Sequence, residues 1–218
     1  VFDRRVFLKT CTNGSSELMT NLSMSLVNAL YNLQLMKIAG ENGVAAYGAV
    51  MYVNFIFVAT FLGYAIGCAP VISYHYGAGN HAELKNLYKK SMSIILVWGV
   101  ILFGAAQLLA PVLSKIFVGY NTGLYAMTLH GFRVYAIAFL IIGINIFGSS
   151  FFTALNNGLI SAVISFLRTL VFQVIMVLTL PLWFGINGIW SAISIAEALT
   201  LIMTTTFFVR QKDKYHYL

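Results

Sequence analysis

Glu17, Asn21, Ser25, Asn28 and Asn32 follow one another at steps of four, four, three and four residues. That is the spacing of one helix face. The residues between them are apolar enough for a bilayer, so a carboxylate, three amides and a hydroxyl form one polar stripe on a greasy helix. Burying such groups unpaired in hydrocarbon costs a few kcal/mol each, so the stripe must face other helices or a watered cavity. A buried carboxylate titrates closer to neutral pH than a free one, and Glu17 therefore reads as a proton or cation site. A carboxylate favoured by the N-terminal end of the helix dipole is the plainer alternative.

Three more segments carry the same device. Asn145, Ser149, Thr153 and Asn156 recur at four, four and three. Ser161, Ser165, Arg168 and Thr169 mark a second segment, and Ser191, Ser194, Glu197 and Thr204 a third. Singly, a serine or threonine in such a helix glues it to a neighbour. Taken together the stripes read as the wall of a cavity, because glue does not require a carboxylate. Arg168 and Glu197 lie about 13 Å and 18 Å in from the same end of antiparallel neighbours, at 1.5 Å per residue. Opposite charges at similar depth in hydrocarbon should meet, and an Arg168–Glu197 ion pair of structural character is expected.

The elements that must position these groups are apolar runs of about 20 residues, the length of a membrane-spanning helix. The chain has 218 residues, 60% hydrophobic and 9% charged, with a mean hydropathy of +0.85. Soluble domains carry about 25% charged residues. The fold class is therefore an all-α integral membrane protein, a six-helix transmembrane bundle. Its spans fall at about 14–36, 47–74, 92–113, 132–155, 160–180 and 189–209. Residues 1–13 form an N-terminal interfacial segment and 210–218 a tail. Lys37 to Gly43, Gly77-Ala-Gly79-Asn80, Asn156-Asn157-Gly158 and Pro181 to Gly188 are the turns. Ala82–Ser91 reads as a short surface helix, and Ser114–Gly131 as the longest connection.

Even span number puts both termini on one side. Arg4, Arg5, Lys9, Lys85, Lys89, Lys90, Arg210, Lys212 and Lys214 share that side, against Lys37, Lys115 and Arg133 on the other. The positive-inside rule makes it the cytoplasmic side of a multi-pass cell-membrane protein. The net charge of +7 then serves anionic lipid head groups, with no nucleic-acid partner. Cys11 and Cys68 have no pairing or metal pattern, and His75, His81, His130 and His216 read as interfacial. No metal, cofactor or nucleotide motif and no nucleophile elbow is present, so no enzyme is expected. Tyr31, Tyr52 and Tyr135 are either interface anchors or the lining of a site for flat organic cations. The sequence begins with Val1 and carries no signal peptide pattern; a fragment of a longer polypeptide is the expectation.

Several stretches resemble the multidrug and toxic compound extrusion (MATE) transporters: Gly67-Cys-Ala-Pro70-Val-Ile-Ser-Tyr-His-Tyr-Gly77-Ala-Gly79-Asn80, Thr153-Ala-Leu-Asn156-Asn-Gly158, Ser165-Phe-Leu-Arg168, and Gly185-Ile-Asn-Gly188-Ile-Trp190 with Ala196-Glu197 after it. Their order and spacing resemble a six-helix lobe, the C-terminal one of two. The resemblance implies a transporter whose lobes face each other in a V. It would export organic cations and amphipathic drugs against inward H+ or Na+, with no other cofactor. It further implies a partner, the N-terminal lobe, and a coupling-ion site of Glu17, Asn21 and Asn145, where Asn145 replaces a second acid of the family pattern. Ser25, Asn28, Asn32, Ser149 and Thr153 would line the cavity. A related flippase of lipid-linked saccharides and a non-transporting membrane subunit are the alternatives. A flippase cavity should be strongly cationic, and Arg168 is the one deep cation here.

Overall fold

The computed structural model describes the backbone of residues 4–218 and the side chains of 4, 7, 8, 10, 11, 14 and 21–218. Helix α1 (Arg4–Gly77) holds the first two apolar runs in one 74-residue element, broken at Gly40. There φ is 61° and ψ −153°, a conformation that costs a residue with a Cβ too much. Only this residue interrupts the helical path, so the expected turn over Lys37–Gly43 contracts to a single hinge point. Helix α2 (His81–Val118) follows a short turn capped by Asn80, whose side chain accepts from the Glu83 amide. Next come α3 (Thr122–Ala136), α4 (Phe139–Ala154) and α5 (Gly158–Phe166). A π-wound segment (Leu167–Phe172) joins α5 to α6 (Gln173–Phe184), and α7 (Ile186–Tyr215) completes the chain.

Four stretches are long and apolar enough to cross a membrane. The first, Asn21–Gly77, runs 57 residues and divides at Gly40. Helices α3 and α4 meet at 48° across Ile137–Ala138 and together make one more span. With the first stretch divided at Gly40, the described residues hold six such segments by length and composition. The described residues contain no strand, as a bilayer favours: a helix satisfies its own backbone.

Two expected boundaries shift. The surface helix over Ala82–Ser91 is the first part of α2 rather than a separate element. The long connection over Ser114–Gly131 shrinks to Gly119–Asn121, because α2 runs through Pro111 to Val118 and α3 starts at Thr122. Gly185, at φ 55°, closes α6 by donating its N–H to Pro181 O.

The core is aromatic. Phe139, Phe147, Phe151, Phe152 and Trp190 are essentially sealed from solvent. Beyond α7, the tail folds back: Tyr217 is fully buried, its ring against Tyr88 and Phe151, and its hydroxyl donates to Phe208 O at 2.9 Å. Asn157 organises the α4–α5 turn. It caps α5 by accepting from Ile160 N and donates to the Tyr215 hydroxyl at 2.9 Å. Asn157→Ala removes both, and a loss of about 1–2 kcal/mol is expected in thermal or denaturant unfolding of the detergent-solubilised protein.

Candidate functional site

Glu197 sits on the inward face of α7 with its side chain fully buried. Each carboxylate oxygen accepts one bond. Arg168 Nε donates to Oε1 at 2.8 Å, and Asn145 Nδ2 donates to Oε2 at 2.7 Å. The same amide nitrogen also reaches Glu197 O at 3.0 Å, which ties α4 to the backbone of α7. Asn145 is itself fully buried, and its Oδ1 has no partner. Both contacts of the amide are made through Nδ2, because only the NH2 end can donate. Arg168 is supplied by the π-wound segment, a winding that is rare and recurs at functional sites. Its side chain is 14% exposed, so the guanidinium stands between the buried carboxylate and open space.

That space is a cavity of about 140 Å³ bounded by the two halves of α1, α3, α4, the π segment, the start of α6 and α7. Arg168 and Glu197 form one side of it. Tyr31 and Tyr47 line it too, stacked at 4.9 Å with planes 10° apart. Tyr47 donates to Asn28 Oδ1 at 3.0 Å, and Asn32 donates to Asn28 O at 2.9 Å, so the upper stripe is internally bonded. Asn54 also lines the cavity, with its buried Oδ1 unpartnered.

The residues marked from sequence divide into groups. Arg168, Glu197 and Asn145 come together, and Asn28 and Tyr31 line the adjoining cavity. Tyr135 lines it too, whereas Tyr52 stacks on Phe117 away from it. Asn21 and Ser25 are exposed on the first half of α1, outside that lining. Glu17 lies outside the described side chains. Ser149 and Thr153 point elsewhere: Ser149 Oγ lies 2.9 Å from Ser161 Oγ and 2.8 Å from Ser165 Oγ, and Thr153 Oγ1 lies 2.6 Å from Ser161 Oγ. They join α4 to α5 as a hydroxyl cluster rather than lining the cavity. The reason is helical drift. Steps of four advance 40° beyond a full turn, so Asn145 faces α7 while Ser149 and Thr153 face α5. Sequence reading missed Tyr47, Asn54 and Gln173 in the lining. The two amides carried a signal, each being a lone polar residue in an apolar run.

His130 pairs with Asn187 at 2.8 Å, and the rings of His81 and His216 meet at 4.9 Å. Among the described residues no group of three or more metal-ligating side chains assembles.

The MatE family profile matches residues 18–179, most of the chain and all of the segments that build the cavity except α7. The chain belongs to the MatE family. Solved structures agree on the fold. A MATE protein in complex with MaL6 superposes with a TM-score of 0.90 at 20% identity, covering 100% of this chain and 49% of that one. An outward-facing multidrug resistance MATE family transporter of the MOP superfamily gives 0.88 at 21%, with 99% and 48% covered. A MOP superfamily transporter from Pyrococcus furiosus gives 0.87 at 21%, with 97% and 48% covered. The chain thus spans about half the length of the MATE structures it matches, as one lobe does. No curated protein matches it. MatE membership makes this a multi-pass membrane protein of a multidrug and toxic compound transporter family.

Proposed function

We propose that the chain is the C-terminal half of a cation-coupled multidrug antiporter in the cell membrane. It exports organic cations and amphipathic drugs against inward H+ or Na+, with both termini cytoplasmic and an N-terminal lobe as its partner. One observation carries the coupling reading: a buried carboxylate, Glu197, held by a cation and by an amide that can turn round. When Glu197 is ionised, Asn145 donates to it. When Glu197 is protonated, the same amide can present its unpartnered Oδ1 as acceptor for the new hydroxyl. An acceptor thus stands ready for a protonated Glu197, which supports H+ over Na+. Glu17 and Asn21 would complete the ion path on α1. Stacked Tyr31 and Tyr47 beside the triad suit flat cationic substrates. Arg168 being engaged by Glu197, the cavity lacks the free cationic cluster that a saccharide-pyrophosphate flippase needs.

The test is uptake of ethidium into everted vesicles carrying the complete two-lobed transporter, under an imposed pH or Na+ gradient. Wild type should accumulate ethidium under the pH gradient. Glu197→Gln and Glu17→Gln should each abolish that uptake while the protein still accumulates in the membrane. Uptake unchanged in Glu197→Gln would remove the triad from coupling. No uptake under either gradient from well-expressed wild type would favour the flippase or the non-transporting subunit.

A further inference from the structure

A second, separate concavity lies on the outside of the bundle, between residues 41–77 of α1 and the first half of α2. It measures about 270 Å³ and is lined by Thr60, Phe61, Tyr64, Ile94, Ile95 and Trp98. Every polar side chain in it is already bonded within the protein. Trp98 Nε1 donates to Thr60 Oγ1 at 2.9 Å, Thr60 Oγ1 donates to Phe57 O at 2.7 Å, and the Tyr64 hydroxyl donates to Ser91 Oγ at 3.0 Å. The groove therefore offers nothing to water or to a polar drug, and what it can bind is hydrocarbon.

Charge identifies which hydrocarbon. Lys90, Ile94 and Trp98 recur at steps of four and form one ridge of α2, with Ile94 and Trp98 in the groove and Lys90 exposed above it. Lys89 is exposed beside it. Lys90 and Trp98 are eight positions apart, about 12 Å along the helix. A bilayer leaflet holds about half of a 30 Å hydrocarbon core, so an ammonium at head-group level places Trp98 beside the middle-to-lower part of an acyl chain. A bare apolar groove would accept any lipid tail. This one has a cation at the distance where a phospholipid carries its phosphate.

We propose that this groove is a binding site for one anionic phospholipid of the leaflet on the Lys90 side. An acyl chain lies between Tyr64 and Trp98, and the phosphate is held at Lys90. Neither the transport reading nor the Glu197 triad enters this inference.

Trp98 supplies the readout, since bromine on a neighbouring acyl chain quenches indole fluorescence on contact. The chain is placed in phosphatidylcholine bilayers containing a minor fraction of 9,10-dibrominated phosphatidylglycerol or, in parallel, the same fraction of dibrominated phosphatidylcholine. The difference between wild type and Trp98→Phe isolates the Trp98 signal from Trp183 and Trp190. Half-quenching of that signal is expected at about fivefold less brominated phosphatidylglycerol than phosphatidylcholine, the effect of one basic residue at a membrane surface. Lys90→Gln should erase the preference, and Lys85→Gln, about 140° round the helix from Lys90, should leave it intact. Equal quenching by the two lipids, including none from either, would overturn the site. So would a preference that survives Lys90→Gln or one that Lys85→Gln removes equally.

Discussion

Arg168→Met is expected to destabilise the bundle by about 3–5 kcal/mol, the cost of leaving a buried carboxylate without its cation. Glu197 has no exposure through which water could replace the guanidinium, and Asn145 alone cannot neutralise it. The double variant Arg168→Met with Glu197→Gln should recover most of that loss, because a neutral amide still bonds Asn145 and needs no counter-charge. Thermal unfolding in detergent, followed by reactivity of the half-buried Cys68 thiol, reads all three proteins. If the single variant melts with wild type, the pair does not hold α7 against the π segment, and the triad loses its structural footing. The comparison also separates stability from transport: the double variant should fold and yet move no drug.

Tyr217→Ala should cost about as much, 3–5 kcal/mol, through a cavity rather than a charge. The ring lies at 4.9 Å from Phe151, 5.1 Å from Tyr88 and 6.3 Å from Phe208, so one residue beyond the last helix closes contacts with α2, α4 and α7. Tyr217→Phe keeps the ring and loses only the bond to Phe208 O, an expected loss of about 1 kcal/mol. A steep ladder from Phe to Ala in the melting temperature would place the energy in packing. Equal losses would place it in the hydroxyl. Either way Tyr217, beyond the last helix, is expected to behave as part of the core, while the lysines before it stay exposed.

Much of this was legible because the signals were local. Asn157 and Asn80 announce helix starts through side-chain chemistry that needs no tertiary partner. Continuous apolar runs announce spans because a bilayer tolerates little else. Depth counted along antiparallel helices brought Arg168 and Glu197 to one level, and hydrocarbon leaves opposite charges few other choices. Illegible features depended on neighbours. The bend at Ile137–Ala138 involves no proline or glycine at the break, so nothing in the string marks it. The span expected to end at Leu113 passes through Pro111 and runs on to Val118. The stripe on α4 read as one surface, and the structure splits it between α7 and α5, since only packing decides which way a 40° drift falls. Tyr47 was unmarked because tyrosines are common at span ends, and its stacking on Tyr31 appears only once the chain has turned at Gly40.

The π winding at Leu167–Phe172 has a mechanical consequence for the triad it supplies. A π turn stores one surplus residue in a helix that otherwise repeats every 3.6. Surplus of this kind is slack: shifted along the helix, it turns every residue it passes by about 100°, and most backbone bonds re-form one register over. Arg168 sits within that slack, at the second residue of the wound segment. Its grip on Glu197 therefore depends on a register that a membrane helix can exchange without exposing its backbone to lipid.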